Sequence, residues 1–368
     1  MPRFEGLTAP FQPNWQGLLD NIHRRGTPDR VYFVELFLDG EVREAITSRF
    51  DVMAGMRRDD PDYDRWKYIL VQRFCGHDMI RAGLADQVMT FHRKAVADSA
   101  ALPRSTGRSY QDEHTGPITS WAEFEAYPWP DPRLPSATRD LEWMNCNLPD
   151  DMCLVAANGI GNIMEWLSWL MGYETLCFAL FENRPLVTAI ANRLKEYFAI
   201  SLERILQFER VKLVWSSDDL GFKSGLLMSP PDLREFVLSG HKHLAAMSHA
   251  AGRPYLLHSC GNLAAIMEEL IEEVRIDAKH SFEDTIGDVR DAKRQYGGRL
   301  SLLGGLDVDF LCRSDEAAIR RRVRETLEVC QPGGGYCLGT GNSVANYIPL
   351  DNYLVMLDEG RLWGRAAR

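Results

Sequence analysis

The sequence has no long uninterrupted apolar run and no excess of positive charge. None of its apolar stretches is long enough to cross a bilayer, and residues 1–6 lack the basic and then apolar layout of a signal peptide. The formal net charge of −10 argues against nucleic acid or an anionic membrane as the main partner. We therefore expect a soluble, cytoplasmic protein.

Two further features are missing. The eight cysteines include no Cys-x-x-Cys pair and no regular framework, as expected for reduced thiols in a reducing compartment. The glycine turn Asn158-Gly-Ile-Gly-Asn162 lacks the third glycine and the later ribose-binding acid of a dinucleotide fingerprint. A disulfide framework and a dinucleotide site are therefore both excluded.

Strand-like and helix-like segments alternate along most of the chain, which predicts an α/β fold with a parallel sheet. Polar residues gather where the predicted strands end, as in a (β/α)8 TIM barrel, although a doubly wound sheet would alternate in the same way. Prolines interrupt residues 95–140, which we interpret as an ordered excursion packed over one end of a single domain. Buried strands are predicted at 31–38, 151–158, 212–219, 255–260, 275–280, 300–307 and 333–342.

The segment Tyr255-Leu-Leu-His-Ser-Cys-Gly-Asn262 carries the strongest chemical signal. It reads as a buried strand that leads through a Gly-Asn turn into an amphipathic segment. Side chains on a strand alternate with period two, so His258 and Cys260 point the same way at its carboxyl end. An imidazole and a thiolate on one face favour a metal site, whereas a buried histidine beside an inert thiol is the alternative.

Acidic residues and a second histidine occupy other predicted strand ends. Glu35 lies inside an apolar strand, where a carboxylate is costly unless it meets an arginine or points into a site. Asp219 follows the strand at 212–219 and is either a site residue or ordinary turn chemistry. His280 and Glu283 share a further strand end. Asp78 beside His77 is a weaker signal, since such pairs are common local hydrogen bonds.

Four motifs together resemble the uroporphyrinogen decarboxylase superfamily, which also contains zinc-dependent methyltransferases that act with methyl-corrinoid proteins. The resemblance implies one barrel over residues 29–368 after an N-terminal extension, residues 1–28. His-x-Cys-Gly is similar to the methyltransferase branch and implies Zn²⁺, a small-molecule substrate and a corrinoid (cobalamin) carried by a partner protein. The motifs are His258-Ser-Cys-Gly-Asn, Leu303-Gly-Gly-Leu-Asp, Gly333-Gly-Gly-Tyr and Pro349-Leu-Asp-Asn.

This resemblance supplies a set of expected site residues. The metal ligands would be His258 and Cys260, with Cys337 or a carboxylate such as Glu35 or Asp219 as the third, unless no stable zinc is bound. Catalytic candidates are Glu35, Asp219, His280 and Glu283. Candidates for substrate binding are Asp78, Asn158, Asp307 and Asn342.

Two departures from the family pattern decide between its branches. The arginine-rich signature with which the decarboxylases hold carboxylates is absent from the first predicted strand, and acids at the strand ends would repel such a substrate. Decarboxylation is therefore the second candidate function, and a barrel that binds a small molecule without a metal is the third. Asn342 stands where the methyltransferases have a second cysteine, and the parity of Cys337 predicts that it faces away from the barrel centre.

Overall fold

A parallel sheet of seven short strands forms the centre of the protein. The computed structural model describes residues 4–98, 100–102, 104, 107–157 and 159–366, without the side chains of 364–366. The predicted substrate-binding residue Asn158 lies outside the described residues. The strands of the chain are β1 (Met79–Ala82), β2 (Arg93–Val96), β3 (Arg108–Gln111), β4 (Cys153–Ala156), β5 (Val211–Ser217), β6 (Gly221–Phe222), β7 (Gly225–Leu226), β8 (Tyr255–His258), β9 (Ala278–His280), β10 (Ser301–Leu303) and β11 (Tyr336–Cys337).

The order of the sheet follows the order of the chain, β1-β4-β5-β8-β9-β10-β11, and each neighbouring pair is parallel. Parallel neighbours need crossover connections, which here contain helices. The predicted α/β fold with a parallel sheet is confirmed. The sheet curls around a small inner core, and a larger cluster of apolar residues fills the layer between its other face and the helices.

The helices begin and end close to the positions that periodicity and capping predict. Ser120 and Ser229 cap their helices through their side chains, as their sequence context indicates. The helices are α1 (Glu5–Thr8), α2 (Trp15–Ile22), α3 (Gly40–Phe50), α4 (Tyr63–Cys75), α5 (Trp121–Ala126), α6 (Arg139–Asn147), α7 (Ile163–Met171), α8 (Tyr173–Glu182), α9 (Arg184–Ile205), α10 (Pro230–Leu233), α11 (Ser239–Ala250), α12 (Met267–Glu269), α13 (Val289–Tyr296), α14 (Val308–Arg313), α15 (Glu316–Cys330) and α16 (Leu350–Ala366).

The prediction of a continuous strand at residues 31–38 is wrong. Phe33 makes single parallel bridges to His77 before β1 and to Leu338 after β11, so the segment lies between the two outer strands without forming a ladder. The side chain of Glu35 is one reason why no continuous strand forms. Its carboxylate accepts the hydrogen bond of Thr340 N–H, which in a regular ladder would go to a backbone carbonyl of the neighbouring strand.

Helix α2 closes the amino end of the inner core. Its Leu18 and Ile22 pack with the inward-facing strand residues, and Asn21 donates a hydrogen bond to the Tyr336 carbonyl at 2.7 Å. Cys337 belongs to this core, so the prediction that it faces away from the centre is wrong. Parity fails here because the last strand ends at Cys337, so the chain leaves its strand conformation before Asn342.

The excursion contains more regular structure than its prolines indicate. Strands β2 and β3 form an exposed antiparallel hairpin. The next residues run over the carboxyl end of the sheet, where Ile118 N–H donates to the Leu170 carbonyl at 2.8 Å. Gln111 and Glu113 line a cavity there. Within the described ranges, no helix is both long and apolar enough to span a membrane.

Candidate metal centre

Three side chains with metal-ligating atoms meet at the carboxyl ends of β5 and β8. These strands pair in register, with Ser217 opposite His258, so Asp219 and Cys260 each lie two residues further along. His258 Nε2 is 3.5 Å from Cys260 Sγ and 3.5 Å from Asp219 Oδ1. All three ligating atoms lie within 4.8 Å of one another. The arrangement brings a thiol, an imidazole and a carboxylate to one point.

The loops after these two strands are tied together. Cys260 N–H donates to Asp219 Oδ1 at 2.9 Å, and Asn262 N–H donates to the Phe222 carbonyl at 2.8 Å. Between them Gly261 has a φ of +86°, and a Cβ there would lie 2.1 Å from the Gly221 backbone. Only glycine fits so close an approach, which explains the glycine directly after the cysteine.

The sulfur of Cys260 also receives hydrogen bonds from other strands' loops. Asn342 Nδ2 donates to it at 3.3 Å and Ser281 Oγ at 3.7 Å. Burial, followed by the charge of Asp219, raises the pKa of the Cys260 thiol well above its usual range. The thiolate at this position therefore needs a positive charge beside it, such as a metal ion.

His258 and His280 form a buried pair with their Nδ1 atoms 2.7 Å apart. Burial lowers the pKa of His258, although the charge of Asp219 opposes this shift. Burial, followed by the neighbouring His258 and Lys279, lowers the pKa of His280. Both rings are therefore neutral near pH 7. In the tautomer of His258 that carries its proton on Nδ1, the Nε2 atom is the one that can bind a metal. The hydrogen bond between Nδ1 and His280 then fixes the orientation of the His258 ring.

Glu165 is a neighbour of the centre that sequence reasoning missed. With Asp219, Cys260 and Glu283 it lines a cavity of about 450 Å³. Burial and the charges of Asp219 and Asp218 raise the pKa of Glu165 well above its ordinary value. In the sequence Glu165 is an acid in the first turn of α7, a position at which acids are common simply because they cap helices.

Asp218 holds the ends of two elements in place behind the centre. Its carboxylate accepts hydrogen bonds from Met164 N–H and Glu165 N–H, both at 2.9 Å, at the start of α7. It also lies 2.9 Å from Nε2 of the buried His241, whose Nδ1 contacts the Tyr255 hydroxyl at 2.8 Å. No local sequence pattern indicates this role of His241.

The other predicted site residues lie apart from the metal centre. Asp78 precedes β1, so it lies at the amino end of the sheet, where it pairs with Arg30 and accepts from Asn14 N–H at 2.6 Å. Asp307 caps α14 through Phe310 N–H at 2.8 Å. Cys337 accepts a hydrogen bond from Asn21 at 3.4 Å in the inner core. The structure thus gathers Asp219, His258, Cys260, His280, Glu283 and Asn342, but not Glu35, Asp78, Asp307 or Cys337.

Glu35 is fully buried and bound to Thr340, whose N–H and hydroxyl both donate to its carboxylate. Burial raises the pKa of Glu35 from 4.5 to about 8, against these two hydrogen bonds. The folded state thus retains a proton that the unfolded state releases at lower pH. The stability that this proton gives is complete below about pH 4.5 and is lost as the pH rises through 8.

We expect Glu35→Gln to remove this pH dependence. Between pH 5 and 8 the unfolding free energy of the wild type should fall relative to that of the variant, by up to about 1.4 kcal/mol per pH unit. Urea unfolding at four pH values measures this difference. The exposed Glu125→Gln should run parallel to the wild type, and a constant gap between wild type and Glu35→Gln would contradict the assignment.

Comparison with known proteins places the chain in a family. A family model described as uroporphyrinogen decarboxylase (URO-D) matches residues 113–362. The chain therefore belongs to the uroporphyrinogen decarboxylase family, which confirms the resemblance carried by the motifs.

Curated relatives match over a short stretch. The uroporphyrinogen decarboxylase of Cupriavidus necator is 35% identical over 81 residues, and that of Ralstonia nicotianae is 34% identical over 80 residues. Each match covers 21% of this chain and 22% of the relative. The chain thus matches only about a fifth of the length of these relatives.

A solved structure resembles the whole chain. The methyltransferase from Methanosarcina mazei superposes with a TM-score of 0.66 and 18% sequence identity, covering 96% of this chain and 99% of that one. At this identity the likeness establishes the shared α/β fold.

Proposed function

We propose that this protein is a zinc-dependent methyltransferase that moves a methyl group between a small molecule or thiol and a corrinoid held by a partner protein. The observation that carries the proposal is the meeting of Asp219, His258 and Cys260 at the carboxyl end of the sheet. Asp219 replaces Cys337 as the proposed third ligand, since Cys337 bonds Asn21 in the inner core.

The three donors suit zinc in chemistry and spacing. Zinc accepts thiolate, imidazole and carboxylate, and its bond lengths of about 2.0–2.3 Å in a tetrahedral site set two ligands about 3.5 Å apart. The two contacts of His258 Nε2, to the Cys260 sulfur and to the Asp219 oxygen, are both 3.5 Å. Three protein ligands leave one position for substrate, which is the pattern of catalytic zinc sites.

The surrounding residues support such chemistry. Bound zinc would lower the pKa of a substrate thiol or water and so supply a nucleophile. Asn342 and Ser281 stabilise the Cys260 thiolate by donating to its sulfur, and His280 fixes the ring of His258. Glu165, whose pKa is raised by burial and by the charges of Asp219 and Asp218, is placed to give a proton to the leaving oxygen or nitrogen of a methylated small molecule in the cavity.

The same proposal extends to the architecture. We interpret residues 29–368 as one (β/α)8 barrel in which residues 31–38 occupy the place of the first strand. Phe33 bridges to both sides of the open sheet, and Val34 N–H donates to the Leu338 carbonyl at 3.0 Å. Catalytic residues at the carboxyl ends of several strands are the usual arrangement in such barrels.

Ultraviolet–visible spectroscopy tests the reaction. Zinc-loaded protein mixed with methylcobalamin and a thiol should convert the corrin bands from the methylated to the reduced form, or reduced cobalamin with a methylated donor should show the reverse. Asp219→Asn should slow the conversion, while the protein treated with chelator should show none. Unchanged bands with thiols and donors of every class tried would refute the methyltransferase proposal.

Decarboxylation remains the second candidate because the family model and the curated relatives carry that name. Three of the strand-end acids expected to repel a polycarboxylate are engaged elsewhere, since Asp78 pairs with Arg30, Asp218 faces His241 and Asp307 caps a helix, whereas Asp219 and Glu283 line the cavity. Incubation with uroporphyrinogen followed by chromatography for coproporphyrinogen tests this reading directly.

A further inference from the structure

A second cavity opens beside the inner core and is lined by basic side chains. Its volume is about 360 Å³, and it lies between residues 35–40, the end of β1 and helix α4. Three of its side chains bury a nitrogen that has no hydrogen-bond partner: Arg43 Nε, His77 Nε2 and Arg81 Nη1. The two arginine nitrogens are donors, whereas His77 Nδ1 faces Gln72 Oε1 and leaves Nε2 as an acceptor. Unsatisfied buried donors are rare in native proteins, so two of them in one cavity need an explanation.

Arg81 is the most unusual of the three. It lies two residues after the inward-facing Met79 on β1, and its guanidinium stacks on the ring of Trp215 at 4.9 Å. The structure gives this guanidinium no hydrogen bond or ion pair with a described residue. Burial lowers the pKa of Arg81 only to about 10, so the group is charged at neutral pH. The side chain is only partly buried, and a bound anion would offset the cost of leaving its charge without a partner.

The carboxylates near this cavity are already engaged. Glu35 is bound to Thr340. Asp39 accepts from Asn346 N–H at 3.0 Å and lies 3.2 Å from Arg104 Nη2. Neither compensates Arg81 or Arg43, so the cavity has a net positive field that favours an anion.

The cavity lies close to the metal centre on the inner side of the sheet. The ring of Trp215 lies between Arg81 and His280. The ring centroids of Trp215 and His280 are 5.4 Å apart, and His280 Nδ1 is 2.7 Å from His258 Nδ1. Trp215 therefore stands between Arg81 and the metal centre, and among the residues that the structure describes the two cavities share no lining residue.

We propose that the cavity at Arg81 binds the carboxylate of a small organic acid. A planar guanidinium matches a carboxylate through two parallel hydrogen bonds, and Trp215 holds it flat. Arg43, stacked at 5.5 Å on Tyr68, adds a second cation at the same cavity. This binding does not rest on the proposed function.

Isothermal titration calorimetry on the full chain, with 4-methoxybenzoate and its neutral analogue 4-methoxybenzamide as probes, tests the site. The wild type should bind the acid at least tenfold more tightly than the amide. Arg81→Met should lose this preference, Arg81→Lys should keep part of it, and the exposed surface variant Arg321→Met should behave as the wild type.

Thermal unfolding without ligand supplies a second readout. Removing a partly buried cation that has no anionic partner should leave the unfolding temperature of Arg81→Met equal to or above that of the wild type, and 4-methoxybenzoate should raise it only where Arg81 is present. A lowered unfolding temperature without ligand would instead mark Arg81 as a packing residue.

Equal affinity for acid and amide, or a preference that survives in Arg81→Met, would overturn the proposal. Tighter binding of inorganic phosphate than of the acid would overturn the carboxylate assignment. Since these titrations involve no methyl transfer, their failure is distinguishable from failure of the proposed reaction, which the corrin bands report.

Discussion

Replacing Cys260 by alanine is expected to lower zinc affinity more than about 100-fold and to abolish methyl transfer, while the protein stays folded. Loss of residues that merely orient a ligand costs about 10–100-fold, and loss of a ligand itself should exceed that. The sulfur has contacts with His258, Ser281 and Asn342, so its removal opens the coordination shell. Competition with a chromophoric zinc chelator measures the affinity.

The matched control is Cys146→Ala, which removes an exposed thiol. It should bind about one zinc per chain with the affinity of the wild type. If both alanine variants bound zinc equally well, or if the wild type bound less than one zinc per several chains, Cys260 would not be a ligand. Circular dichroism of both variants confirms that any loss of metal does not come from unfolding.

Asp218→Ala is expected to cause the largest loss of stability, about 3–5 kcal/mol, because it leaves buried partners uncompensated. Asp218 and His241 are both fully buried and 2.9 Å apart, and two N–H groups of α7 also depend on the carboxylate. Urea unfolding of wild type and variant measures the difference.

An exposed ion pair provides the comparison for this result. Asp309 and Arg313 are 2.6 Å apart with about three quarters of each side chain exposed, at 71% and 77%. Asp309→Ala should therefore cost no more than about 1 kcal/mol. Similar losses for the two aspartates would show that the Asp218–His241 pair contributes no more than a surface contact.

The sequence predicted the parts of the centre that depend on local spacing. His258 and Cys260 share a face because the strand period is two, and Asp219 joins them because parallel strands end at the same edge. The helices follow from apolar periodicity and caps, as in α7, an apolar run that begins directly after Asn162.

Residues whose role depends on distant partners escaped prediction. His241 binds Asp218 across 23 residues, and Arg81 stacks on Trp215 across a still longer separation, which no local pattern encodes. Glu165 resembled a capping acid until the fold placed it beside Asp219. Cys337 was misplaced because inward direction was inferred from parity across a bend, and parity holds only within a continuous strand.

Helix α2 has a consequence for the order of events during turnover. Because Leu18, Ile22 and Asn21 fill the amino end of the inner core, the open approach to Cys260 lies at the opposite, carboxyl end of the sheet. In the reaction that we propose, a corrinoid carrier and a small methyl donor or acceptor would share this approach. The proposed reaction would then have the two bind in turn, with the first departing before the second arrives.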